Sequence, residues 1–303
     1  MKDEIEVDVH EPVVLQSTDV VFEQKPYWCN ATRYPLKMSI LHPRHYFSYD
    51  EAKGPYPCIV WIAGGGWTEV DQNVWLPEMT YFVKHGYIVA SVSYSLPSTW
   101  VWPEMLIDVK QAIRYLKAHA GEWEIDKDKI AVAGESAGGH LAAMAAVTGD
   151  NGAFEKGDYL NQSSSVQAAV ILYGAVDMEN FEGRRDKSSY KKEDQSLLRG
   201  HLEPQTILCG EHYLFEHPEI AKTMDPRNYI SSSTPPFMLL HGTKDTQVPI
   251  YHSDIFYKAL SDNGIYVDYL RISGEDHASA AFYQPEVKNR IIHFLNDKMN
   301  IKG

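Results

Sequence analysis

The sequence predicts an α/β architecture, a mostly parallel central sheet with helices on both faces, and two observations carry that expectation. From about residue 57 onward, short apolar runs alternate with amphipathic stretches, the pattern of strands and helices taking turns along the chain. The punctuation agrees: Pro103 and Pro285 stand where helices should start, and Gly86, Gly121 and Gly264 stand where helices should stop. At 303 residues, 44% of them hydrophobic, one large domain over residues 1–303 is a simpler reading than two small ones.

Taken in order, residues 13–48 read as short extended segments broken by Pro26, Pro35 and Pro43, suited to antiparallel edge strands. The apolar run Cys58–Ile62 predicts a buried strand, Val74–His85 a helix, Ile88–Tyr94 the next strand and Pro103–His119 the next helix. A strand is expected over Ile130–Ala133. It leads into a helix over Gly138–Thr148, where Ala and Leu supply strong helix formers. Ala168–Tyr173 reads as another strand. The alternation then lapses over residues 176–236, where charged runs such as Arg184-Arg185-Asp186-Lys187 appear. This insertion is read either as a cap over an active site or as a solvated surface excursion. The strands Phe237–Leu240 and Val267–Ile272 and the helices Tyr251–Asn263 and Pro285–Met299 complete the expectation.

Charge and cysteine usage narrow the function classes. A net charge of −13 disfavours nucleic acid or an anionic membrane surface as partner, since either would be repelled, and leaves small molecules as the expected ligands. The stretch Met1-Lys2-Asp3-Glu4-Ile5-Glu6-Val7-Asp8 has no apolar core of leader length, so a cytoplasmic location is expected. Cys29, Cys58 and Cys209 are odd in number and lack metal-ligand spacing, which argues against a disulfide framework or a zinc site.

The chemistry concentrates at Gly134-Glu135-Ser136-Ala137-Gly138, a G-x-S-x-G pentapeptide between an apolar run and a small-residue helix. Such a turn brings strand and helix nearly into contact, so glycine is required at 134 and 138 while Ser136 is held in an unfavourable backbone region. A serine hydroxyl is a poor nucleophile at neutral pH and needs a histidine base oriented by a carboxylate. Asp245 follows the strand Phe237–Leu240, and His277 follows the strand Val267–Ile272, both at carboxyl ends of strands, where functional groups of open α/β sheets gather. Rivals exist. Asp276 adjoins His277 and is read as loop solvation, Asp225 and Asp254 are substitute carboxylates, and His140 and His241 are read as structural. The pairs His42 and His45, and His212 and His217, lack the carboxylate pattern of a metal site, so neither metal nor cofactor is expected. Ala63-Gly64-Gly65-Gly66-Trp67, after the strand Cys58–Ile62, would supply backbone donors to an oxyanion together with Ala137. A phosphate-loop reading of these glycines fails for want of a following Gly-Lys-Ser/Thr.

With these motifs in place, the chain resembles the α/β-hydrolase fold esterases and lipases, in the branch with a GGGW oxyanion loop and a GxSAGG elbow. That branch includes carboxylesterases, feruloyl and acetyl-xylan esterases and kynurenine formamidases. The resemblance covers roughly residues 57–298. It implies Ser136 as nucleophile, His277 as base, Asp245 as its orienter, and Gly65, Gly66 and Ala137 as oxyanion donors. Many members carry histidine where this chain has Ala63, which leaves the support of the loop open.

Trp67, Trp100 and Trp102, with Trp75 and Tyr94, follow strands and are candidates to line an acyl or alcohol pocket, the competing reading being plain packing on the sheet. The expected reaction is hydrolysis of short-chain acyl or aromatic esters, hydroxycinnamoyl esters and acetylated sugars included. Small-amide hydrolysis of the kynurenine formamidase kind, peptidase activity and a non-catalytic ligand-binding role are the alternatives.

Overall fold

The structure, a computed structural model, describes residues 2–44, 54–97, 99–180, 214 and 217–301. Its centre is an eight-stranded sheet among the described residues. The strands are β1 (Val13–Tyr27), β2 (Thr32–Arg44), β3 (Tyr56–Ile62), β4 (Ile88–Val92), β5 (Ile125–Glu135), β6 (Ala168–Leu172), β7 (Phe237–Gly242) and β8 (Val267–Ile272). Their order across the sheet is β1-β2-β4-β3-β5-β6-β7-β8, with β1, β2 and β4 paired antiparallel and the six strands from β4 to β8 paired parallel.

Side-chain alternation sorts the two faces. In β3, Cys58, Val60 and Ile62 enter one core while Ile59 and Trp61 enter the other, and in β7 Phe237 and Leu239 divide from Met238 and Leu240 in the same way. The first core is closed by helices α2 (Glu104–Ala118), α4 (Ser136–Thr148) and α6 (Tyr251–Asp262). The second is closed by α1 (Leu76–Lys84) and α7 (Pro285–Lys298). Two short helices, α3 (Ala120–Trp123) and α5 (Pro218–Thr223), complete the set among the described residues.

Several boundaries differ from the sequence reading. β5 begins at Ile125 rather than Ile130, because Tyr56 of β3 still pairs with Ile125 across a register shift. The strand expected over Ile88–Tyr94 ends at Val92, after which Tyr94 turns its hydroxyl to Ala63 O at 3.0 Å. β1 and β2 run through Pro26 and Pro35 without interruption. Proline is tolerated there because β1 is an edge strand and β2 is paired on its second side only over Met38–Leu41.

Of the stretch 176–236, the described portions pack inward. Val176, Met178, Leu214 and Met224 belong to the first core, and α5 precedes a short turn at Pro226–Tyr229. The charged run at 184–187, together with Cys209, His212 and His45, lies outside the described residues.

β3 and β5 are neighbours at the point where the chain reverses its direction across the sheet. The Gly64–Gly66 loop and Ser136 therefore emerge side by side at strand carboxyl ends, where such sheets open a crevice.

Candidate active site

Ser136 is the first residue of α4 and has φ +54°, in the left-handed region that costs an L residue energy. The flanking glycines are there for steric reasons. A Cβ on Gly134 would overlap the Gly138 carbonyl, and one on Gly138 would overlap the Ile62 carbonyl of the neighbouring strand. The turn thus presses α4 against β3 and lifts the serine hydroxyl out of the sheet. Helix α4 starts at Ser136, two residues earlier than its composition suggested, so the N–H of Ala137 lies in a first turn that has no intrahelical acceptor.

The hydroxyl meets an imidazole. His277 Nε2 lies 2.9 Å from Ser136 Oγ, and His277 Nδ1 lies 2.7 Å from Asp245 Oδ2. Three residues separated by 109 and 32 positions, taken from the turn after β5 and the loops after β7 and β8, form one continuous hydrogen-bonded relay. Asp245 is a well-held acceptor: its Oδ1 accepts from the backbone N–H groups of Gln247 at 2.9 Å and Val248 at 2.8 Å. His241 Nε2 approaches its Oδ2 at 3.3 Å. Burial alone would raise the carboxyl's proton affinity, but hydrogen bonds from His241 and His277 outweigh it and hold Asp245 well below the usual carboxylate range. A charged Asp245 fixes the proton of His277 on Nδ1, leaving Nε2 to accept from the serine.

Asp276 does more than solvate its loop. Its Oδ1 accepts from the backbone N–H of His277 at 2.7 Å and of Thr246 at 2.8 Å, tying the loop that carries His277 to the one that carries Asp245. The rival carboxylates are engaged elsewhere, Asp225 with Arg227 and Asp254 with Tyr269 and Arg271. His140 is buried, contacts Met224 O at 2.7 Å through Nε2, and is pushed down to about 4 by desolvation, so it stays neutral. His241 is buried between Ser253 and Val248 O. No group of three or more His, Cys, Asp or Glu placed to hold a metal occurs among the described residues.

Gly65 and Gly66 line a cleft of about 370 Å³ together with Ser136 and His277, and Thr68, Glu69, Glu135 and Gln247 supply polar walls. Gly65 has φ +128°, and a Cβ there would overlap the carbonyl of Glu69. The loop has a brace that sequence reading missed. Glu135 Oε1 accepts from the Gly64 N–H and, at 3.1 Å, from Trp75 Nε1, while Tyr94 donates to Ala63 O. These contacts support the loop that begins at Ala63. Burial pushes the Glu135 carboxyl up despite these donors. Trp75 stacks on Tyr283 at 4.4 Å, the Tyr283 hydroxyl meets that of Tyr173 at 3.1 Å, and the Tyr173 ring packs edge-on against His277 at 4.6 Å.

The structure does not bring Trp67, Trp100 or Trp102 to this cleft. Trp67 is buried against His140, edge to face. Trp102 is buried as well, with Nε1 donating to Thr223 Oγ1 at 2.9 Å, and Trp100 sits in a separate concavity with Tyr27 and Tyr34. Position after a strand does not tell a loop tryptophan which way to face. Trp75 alone of the four borders a groove next to the cleft, beside Gly64 and Glu135.

Residues 46–260 match the BD-FAE family. The chain belongs to the BD-FAE family. Among curated proteins it is similar to the esterase LipQ of Mycobacterium tuberculosis, 32% identical over 73% of this chain and 50% of that protein. It therefore spans about half the length of such curated relatives. Among solved structures it superposes on a truncated carbohydrate esterase from gut microbiota, with TM-score 0.77, 24% identity and coverage of 94% and 96% of the two chains. It also superposes on an acetyl ester-xyloside bifunctional hydrolase from Caldicellulosiruptor lactoaceticus, with TM-score 0.74, 23% identity and coverage of 95% and 97%. The fold is that of an α/β-hydrolase.

For this BD-FAE member, the signal for Glu135 lay within the elbow pentapeptide itself. A carboxylate next to Ser136, with a glycine loop one strand away, is poised to meet an N–H of that loop, but only the β3–β5 pairing makes the meeting visible.

Proposed function

We propose that the chain is a serine carboxylic-ester hydrolase acting through an acyl-enzyme. The observation that carries this reading is the relay Ser136–His277–Asp245, with contacts of 2.9 and 2.7 Å, opening onto a cleft walled by Gly65 and Gly66. Ser136 Oγ attacks the ester carbonyl while His277 Nε2 takes its proton. The oxygen that becomes negative is held by the N–H groups of Gly65, Gly66 and Ala137, each worth roughly 3 to 4 kcal/mol in the transition state. Collapse expels the alcohol, which receives the proton from His277. Water, deprotonated by the same imidazole, then releases the acid and restores Ser136.

The walls of the cleft suggest the substrate. Thr68, Glu69, Glu135 and Gln247 offer hydrogen bonds rather than a long apolar channel, which suits a short acyl group on a hydroxylated or phenolic alcohol: acetylated sugars first, hydroxycinnamoyl esters second. The named relatives are esterases, and no separate observation favours an amide substrate.

Labelling with a fluorophosphonate tests the reading. Stoichiometric modification at Ser136 is expected, together with a loss of p-nitrophenyl acetate turnover on the order of 10⁶-fold in Ser136→Ala. An inert wild-type protein, or a variant that keeps its turnover, would sink the proposal.

A further inference from the structure

A second concavity, of about 510 Å³, lies between the β1–β2 hairpin and the segment after β4. Its aromatic members form a triangle: the ring centroids of Tyr34 and Trp100 are 5.5 Å apart, and Tyr27 lies 5.8 Å from Tyr34 and 6.1 Å from Trp100. Tyr27 and Tyr34 are exposed, at 41% and 44%. Trp100 is steadied by Lys25, whose Nζ lies 5.5 Å from its ring centroid. Lys25 is itself buried and pinned by Glu104 at 2.9 Å and Asp108 at 2.5 Å, so the ring rests on a rigid cation. Around the aromatics stand the polar side chains of Lys37, Gln72, Ser93 and Thr99.

This concavity is distinct from the cleft that holds Ser136, and a groove between the two shares wall residues with each. Val70 borders both it and the groove beside Trp75, and that groove shares Gly65, Glu69 and Glu135 with the cleft that holds Ser136. The segment from Gly65 to Gln72 is thus a common wall from nucleophile to aromatics. An aromatic floor inside a hydroxyl and amide rim fits a ligand with apolar C–H faces and polar edges, which is the chemistry of a pyranose ring. An acyl chain would leave the rim polar groups facing hydrocarbon, and a polyanion would meet a chain of net charge −13.

We propose that Tyr27, Tyr34 and Trp100 form a distal glycan subsite that holds the neutral oligosaccharide part of an acylated glycan whose ester group lies at Ser136. The subsite rests on the ester-hydrolase reading for its catalytic purpose, though not for its ability to bind sugar. The test is a fluorescence titration of the wild-type protein with unesterified xylohexaose, cellohexaose and mannohexaose, repeated with Trp100→Ala and Tyr34→Ala. Saturable binding of at least one hexaose is expected, weakened about 10-fold in both variants. In parallel, the ratio of kcat/KM for acetylated xylo-oligosaccharide to kcat/KM for p-nitrophenyl acetate should fall about 10-fold in both variants. Binding of no hexaose overturns the subsite, as does hexaose affinity that both variants retain. A wild-type protein that binds hexaose but hydrolyses no ester would overturn the catalytic reading while supporting the glycan site.

Discussion

Two buried carboxylates stand near the Ser136 hydroxyl, Asp245 on the loop after β7 and Glu135 at the end of β5, and their surroundings shift their proton affinities in opposite directions. Burial pushes both upward. Asp245 gathers His277, His241 and two backbone N–H groups across both of its oxygens, so its charge survives. Glu135 accepts from the Gly64 N–H, Trp75 Nε1 and the Tyr173 hydroxyl, which together do not offset its deeper burial. The balance of burial against hydrogen bonds and neighbouring charge distinguishes the carboxylate held below its ordinary value from the one pushed above it.

If that distinction is right, substitutions at the two sites should differ by orders of magnitude. Asp245→Asn should lower kcat on p-nitrophenyl acetate on the order of 10⁴-fold, because an amide can no longer fix the imidazole tautomer. Glu135→Ala should cost about 100-fold through a loosened oxyanion loop. Glu135→Gln should stay within about 10-fold of wild type, since the Gly64 N–H and Trp75 Nε1 both address Oε1 and an amide oxygen can accept them. Equal losses in Asp245→Asn and Glu135→Gln would erase the distinction. Trp75→Phe, which removes one donor and keeps most of the stacking on Tyr283, should cost about fivefold.

Stability against pH sharpens the same contrast, with opposite signs. Asp245 is held below its ordinary value of 3.8, so the unfolded chain binds the proton first. Its contribution is present above that value and is lost as pH falls below it. Glu135 is raised above 4.5, so the native state keeps a proton that the unfolded chain releases, and its contribution is lost as pH rises from that value through the raised one. Thermal unfolding across pH 4 to 8 should therefore show Glu135→Gln gaining on wild type as pH rises. Below pH 4, Asp245→Asn should close part of its deficit. A pH-independent difference for Glu135→Gln would contradict the raised carboxyl.

Much of this was legible beforehand. The order of strands and helices followed from apolar periodicity, and Ser136, Asp245 and His277 followed from their places after apolar runs, because the crevice of such a sheet lies at strand carboxyl ends. The tryptophans were not legible. Trp67, Trp75, Trp100 and Trp102 share the same sequence context, yet two are buried against helical residues, one helps brace the Gly64–Gly66 loop and one joins a surface aromatic cluster. Asp276 was misread for a related reason: its work is done on Thr246, thirty residues away in the chain.

Local sterics speak through sequence. Glycine at 134 and 138 and the strain at Ser136 are properties of a few adjacent residues, and so the elbow, the proposed nucleophile and the chain order of its proposed partners were determined by the sequence alone. Which groups surround each charge is a property of strand pairing across the sheet, and that pairing joins residues 71 positions apart in the contact between Gly64 and Glu135. The ionisation of the two carboxylates, the brace of the loop and the facing of Trp100 were decided only when the tertiary structure fixed which groups each buried oxygen and each ring would meet.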